Sequence, residues 1–152
     1  MSTFKYVRVR GKSMAPYFVS NDILLVDTQL TQVHLEKSGS LYLIKSKMEE
    51  NFLVHRLLET GYFKGDRNKV FDEIDTLKEE ILGKVIARLG PQEKIISLDT
   101  KIHHFFFPIQ SWLSSKNQFP TKRLLSKLIV LGVIIVGKTL RLIENNFIRN
   151  TI

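Results

Sequence analysis

Tyr6-Val7-Arg8-Val9-Arg10-Gly11-Lys12-Ser13-Met14-Ala15-Pro16 is the stretch from which the fold is read. Its first half alternates apolar and basic residues, the period of a half-buried β-strand. Its second half breaks that period at a glycine and ends in Met-Ala-Pro. Proline fixes its own φ and restricts the residue before it, so the strand delivers Ser13 onto a stiff turn.

Outward from this stretch, residues 4–98 read as mostly β. Ile23–Val26, Leu41–Ile44 and Phe52–Val54 are short apolar runs bounded by polar residues or glycine. Leu57-Leu58 and Tyr62-Phe63 flank Glu59-Thr60-Gly61, a three-residue hairpin loop with glycine available for the left-handed position. Ile81–Ala87 and Lys94–Leu98 predict two more strands, joined through Gly90-Pro91. Residues 73–80 are polar enough for a surface loop or a short helix.

The pattern changes after Leu98. His103-His104-Phe105-Phe106-Phe107-Pro108 is aromatic and basic, and Leu124–Leu140 is strongly apolar. Its uninterrupted part, Leu128–Gly137, is ten residues long, against the roughly 20 that cross a bilayer. Lysine and arginine flank it and can snorkel. Three placements stay open: a helix lying on a membrane or a partner, a helix covering the β domain, and a single span. His103-His104, read as neighbours on a strand, point to opposite faces and make a poor metal pair. Phe105-Phe106-Phe107 with Trp112 reads as a packing or membrane-interface cluster rather than a base-stacking platform.

The net charge of +8 is concentrated at the two ends of the chain, which suits an anionic surface. No cysteine is present, which excludes a disulfide framework and thiolate metal sites. Residues 1–14 hold no apolar core of the kind a secretion signal needs, and nothing before Ser13 has the length of a span. The expected location is cytoplasmic, or peripheral on the cytoplasmic membrane face, with one C-terminal span as the alternative. No Gly-rich phosphate loop and no nucleic-acid signature appears.

Three segments can carry chemistry: Gly11–Pro16, Val54-His55-Arg56, and Lys64-Gly65-Asp66-Arg67-Asn68 followed by Asp72. Alone, each has a plain reading: a serine capping a turn, a strand histidine, a Gly-Asp turn. A nucleophile needs a base that takes its proton and a third group that orients the base. Such groups assemble in space, so their separation along the chain decides nothing.

Together and in order, these segments resemble the signal peptidase I superfamily, which also includes the self-cleaving SOS and phage repressors. The family pattern is G-x-S-M-x-P, a Gly-Asp turn with an apolar strand, a base followed by Arg, K-G-D-x-N with a following Asp, and a strand beginning G-x-V. Here these are Gly11–Pro16, Asn21-Asp22 with Ile23–Val26, His55-Arg56, Lys64–Asn68, Asp72, and Gly83-Lys84-Val85. Histidine in the base position resembles the endoplasmic-reticulum and archaeal branch, also found in small bacterial members. The resemblance implies Ser13 as nucleophile, His55 as base, and Asp72 as the group fixing the imidazole, with Asp66 the second candidate. It also implies that the Ser13 amide meets the oxyanion and that small residues are preferred at the cut. Met14 either packs under the turn or lines the groove. Pro16, Arg56, Lys64, Gly65 and Asn68 are expected to support the site.

The sequence departs from the pattern at Gly11, where many relatives carry a serine that helps the oxyanion, and at Asn21, which replaces glycine. Asn tolerates positive φ.

The expectation is a mainly β, signal-peptidase-like coiled sheet or barrel over residues 1–100, followed by a helical, partly hydrophobic appendage over 101–152. The expected function is a serine endopeptidase cleaving an extended signal or leader peptide through an acyl-enzyme. No cofactor, no metal and no specific nucleic acid are expected; the expected partners are a peptide or protein substrate with an extended cleavage segment and a membrane surface met through residues 124–140. The alternative is a catalytically degenerate module of the same fold that binds peptide or membrane. Self-cleavage is disfavoured, because His55 replaces lysine and no DNA-binding region precedes the domain.

Overall fold

The computed structural model describes residues 3–31, 38–46, 52–58, 61–66, 79–90, 94–98, 100–116 and 123–149. Among these residues the chain order is β1 (Phe4–Arg8), β2 (Ile23–Asp27), β3 (Leu41–Ser46), β4 (Phe52–Leu57), β5 (Phe63–Lys64), β6 (Glu79–Leu89), β7 (Ile95–Ser97), α1 (Lys101–Lys116) and α2 (Arg123–Arg149). The protein is mainly β with a helical C-terminal region. Its strands make one antiparallel sheet in the order β1-β2-β6-β3-β4-β5, with β7 on β6. Among the described residues the sheet is open rather than closed into a barrel, with β1 at one edge and β5 at the other.

The long strand β6 organises the sheet. Its C-terminal half pairs β2 and its N-terminal half pairs β3, and the register shifts against both. Gly83 stands at the shift against β3 with φ 156°, and a Cβ there would run into the Asp27 carbonyl of β2. Only glycine lets the strands approach so closely, and the irregular register bends the sheet. The polar stretch 73–80 divides here: Glu79 and Glu80 begin β6, and 73–78 lie outside the described residues.

Alternation along the central strands sends side chains to two cores. Leu41 and Leu43 of β3 pack with Met14, Phe18, Leu24 and Val26, and Val54 joins them. Tyr42 and Ile44 pack on the other face with Leu57 and Phe63. Both helices complete the first core, through Phe107 of α1 and Leu140 of α2. The C-terminal segment therefore covers the sheet. No described helix is long and apolar enough to cross a membrane. His103 and His104 lie on α1 rather than on a strand: His103 is buried and His104 exposed, one helical step apart.

Candidate functional site

Ser13 sits in a loop closed on itself between β1 and β2. At its neck, the Val9 amide donates to the Asp22 carbonyl (2.8 Å) and the Asn21 amide donates to the Val9 carbonyl (2.9 Å). Asn21 has φ 76°, a value its short polar side chain tolerates. Inside the loop, Ala15 N–H donates to the Lys12 carbonyl (3.0 Å) and Phe18 N–H to the Met14 carbonyl (3.0 Å). The Ala15–Pro16 peptide is cis. Met14, Tyr17 and Phe18 are buried and anchor the loop in the first core, while Ser13 stays half-buried at the surface.

Gly11 has φ 91°, a left-handed conformation that a serine would adopt only with strain. Its amide donates to Ser20 Oγ (3.2 Å), and the Ser20 hydroxyl returns a bond to the Gly11 carbonyl (3.1 Å). Ser20 thus takes up both backbone groups of the residue that precedes Lys12 and Ser13. Sequence reading did not single out Ser20, because nothing local marks a bond across the loop.

Ser13 opens on a cavity of about 560 Å³. Val7 and Val9 of the β1 side, Met14 and Phe18 of the loop, and Leu43 and Val54 of the sheet supply apolar walls. Lys5, Arg8 and Arg10 supply the charge, and among the described residues no carboxylate lines it. The cavity therefore combines apolar walls, a cationic rim and a hydroxyl.

His55 is buried at 1% exposure in β4 and is not one of the lining residues. It pairs across the strands with Tyr42, and cross-strand partners share a face. That face belongs to the second core, whereas the adjacent Val54 belongs to the first. The structure thus brings Ser13 and Met14 to the cavity and sets His55 one residue behind its wall.

Arg56, the residue after His55, is fully buried and faces the helices. Its Nε and Nη2 donate to the two carboxylate oxygens of Asp66 (2.7 and 2.9 Å), Nη1 donates to the Gly39 carbonyl (2.7 Å), and Nη2 also donates to Gln110 Oε1 (3.0 Å). Gln110 Nε2 in turn donates to Asp66 Oδ2 (2.7 Å). The guanidinium lies 4.8 Å from the centre of the Phe107 ring. A buried charge pair persists only when hydrogen-bonded this completely. Asp66 is therefore held by Arg56 and Gln110. Lys64 and Gly65, both buried, lead into it, and Lys64 pairs with Arg56 in the β4–β5 register. Asn68 and Asp72 lie outside the described residues.

A second polar cluster holds the Ser13 loop to α2. Arg141 donates to both oxygens of Asp22 (2.7 and 3.0 Å) and to the Tyr17 carbonyl (2.8 Å). Glu144 accepts from the Tyr17 hydroxyl (2.8 Å) and from Arg88 Nε (2.8 Å), and meets His103 Nε2 at 2.7 Å. Burial alone would raise the Glu144 pKa, but the bonds from His103, Arg88 and Tyr17 outweigh it and hold the carboxyl below its ordinary range. Burial, reinforced by the Glu144 charge, pushes the Tyr17 phenol well above its ordinary value. The hydrogen bonds that Arg141 donates to Asp22 raise the Arg141 pKa. Among the described residues no group of His, Asp or Glu is arranged to hold a metal ion.

No protein-family model, curated protein or solved structure matches this chain.

Proposed function

We propose that the chain is a serine endopeptidase with a signal-peptidase-like coiled sheet, acting on an extended peptide segment. The observation that carries this reading is Ser13 on a loop braced from both sides, opening on an apolar cavity beside the edge strand β1. An edge strand accepts an extended peptide by main-chain pairing, and the cavity takes a side chain. The ordered motifs add to this, since two of them contribute the two halves of the Arg56–Asp66 pair. Lys5, Arg8 and Arg10 favour a substrate with carboxylates near an apolar residue.

In this mechanism Ser13 Oγ attacks the peptide carbonyl carbon while His55, which must first turn from the second-core face towards the cavity, takes the hydroxyl proton. The Ser13 amide stabilises the oxyanion. The C–N bond then breaks, and the imidazolium returns the proton to the leaving amine. Water, deprotonated by His55, hydrolyses the acyl ester and restores Ser13. The resemblance gives Asp72 the role of orienting the imidazole.

The position of His55 behind Val54 favours a second reading, a module that binds peptide without cleaving it. Co-expression with candidate leader or signal peptides separates the two. Cleavage by wild type, and its loss in both Ser13→Ala and His55→Ala, supports the peptidase. Equal cleavage by all three proteins sinks it. Binding without cleavage by wild type selects the module. Asp66→Asn is a poor probe of catalysis, because it removes a charge that Arg56 requires.

A further inference from the structure

The solvent faces of α1 and α2 are not what an exposed helix normally shows. A surface helix buries an apolar stripe and turns polar residues outward. On α1, the outward stripe is Lys101, Phe105, Ile109, Trp112 and Lys116, with Phe105 65% and Trp112 50% exposed. On α2, it is Leu128, Leu131, Ile135, Lys138 and Leu142, with Ile135 55% exposed. Both helices have already spent another face on the β core, through Phe107 and Leu140. They also touch each other, with the Leu113 side chain against Gly132. The two outward stripes therefore belong to neighbouring helices of one layer.

The charges on this layer have one sign. In the sequences of α1 and α2 the only carboxylate is Glu144, and it is buried against Arg88, His103 and Tyr17. Lys101, Lys116, Lys127 and Lys138 are exposed. Lys116 lies 6.0 Å from the Trp112 ring, near the end of α1.

We propose that these faces form one docking surface for an anionic phospholipid membrane, with α1 and α2 lying in the interfacial plane. Each lysine can keep its ammonium among lipid phosphates while its stem lies along the apolar stripe. Trp112 suits the boundary between headgroup and acyl chain. Neither helix is built to cross the bilayer, so both lie along it. A second copy of the chain is a poorer occupant, because a two-fold contact would set these lysines against each other. This inference does not depend on the peptidase reading.

Trp112 is the single tryptophan of the chain, so emission excited to the red of tyrosine absorption reports this surface alone. The full chain is titrated with phosphatidylcholine vesicles, with and without phosphatidylglycerol. The expected result is a blue shift of Trp112 emission and co-sedimentation with the anionic vesicles, both weakened by salt. Lys127→Gln with Lys138→Gln lowers the partition coefficient by roughly fivefold per lysine removed. Leu131→Glu with Ile135→Glu abolishes binding, and both sites are exposed, so an unchanged circular dichroism spectrum shows the variant is folded. No shift with anionic vesicles overturns the proposal. So does undiminished binding by the folded double-glutamate variant. Self-association without lipid that the double-glutamate variant loses also overturns it, since the face then belongs to a second copy.

Discussion

Glu144 gathers Tyr17, Arg88 and His103 around one carboxylate, and each comes from a different part of the chain. Its lowered pKa means that the ionised form stabilises the fold at pH above the ordinary carboxylate value of 4.5. That contribution is lost as pH falls below 4.5. Tyr17 works in the opposite direction. Its raised pKa means that the neutral phenol stabilises the fold below its ordinary value of 10.0, and this is lost as pH rises through the folded value. Urea unfolding across pH is expected to show both limbs. Tyr17→Phe removes the alkaline limb, and Glu144→Gln removes this acid contribution while destabilising the fold by about 3–5 kcal/mol, because Arg88 stays buried without its counter-charge. Neither residue was legible as part of a cluster in the sequence. Tyr17 and Glu144 are 127 positions apart, and no local pattern joins them. Arg56 and Asp66, only ten apart, stood out through their motifs, but spacing could not show that they bond to each other. Asn21 was legible, because its tolerance of positive φ is local chemistry, and it adopts φ 76°.

Between elements, the contact that bears most on Ser13 is the one α2 makes with its loop. At Gly137 a Cβ would stand 3.1 Å from Pro16 Cγ, so the helix lies almost directly on the turn. Arg141 and Glu144, one and two turns further on, fix the same loop through Asp22 and Tyr17. Gly137→Ala is expected to be close to neutral, since the gain of about 1 kcal/mol in helix propensity offsets a small displacement of the proline. Gly137→Leu has no such room. It is expected to destabilise by about 1–3 kcal/mol and to reduce fluorophosphonate labelling of Ser13, checked by thermal unfolding and by labelling at a temperature where the variant is folded. The strands were the easier elements to read. Alternation or a short apolar run marks β1, β2, β3 and β6. β4 runs past its apolar stretch because His55 and Arg56 are buried polar residues, which a hydropathy pattern counts as an end. The period of α1 was hidden for a related reason. Its buried face holds His103 and Phe107 and its exposed face Phe105 and Trp112, so aromatic residues occur on both sides.

Across the whole molecule, the change at Leu98 is a change of secondary structure but not of core. Reading composition along the chain separates a β region from a helical one, and both are present. It cannot show that Leu140 and Phe107 share one cluster with Met14, Leu24 and Val85. Removing α2 would take away Leu140 and Val133, each worth about 1.5–3 kcal/mol by burial. It would also strip Glu144 from Arg88 and Tyr17, and a buried unpaired charge costs several kcal/mol more. A domain of this kind is stable by only about 5–15 kcal/mol in total, so the loss is comparable with the whole margin. A chain ending at residue 122 is therefore expected to lose cooperative unfolding, bind a hydrophobic dye and leave Ser13 unlabelled. Near-ultraviolet dichroism and dye binding test this directly. A sharp thermal transition in the shortened chain would instead mean that the sheet holds its own core, and that α2 serves the surface it presents rather than the fold it covers.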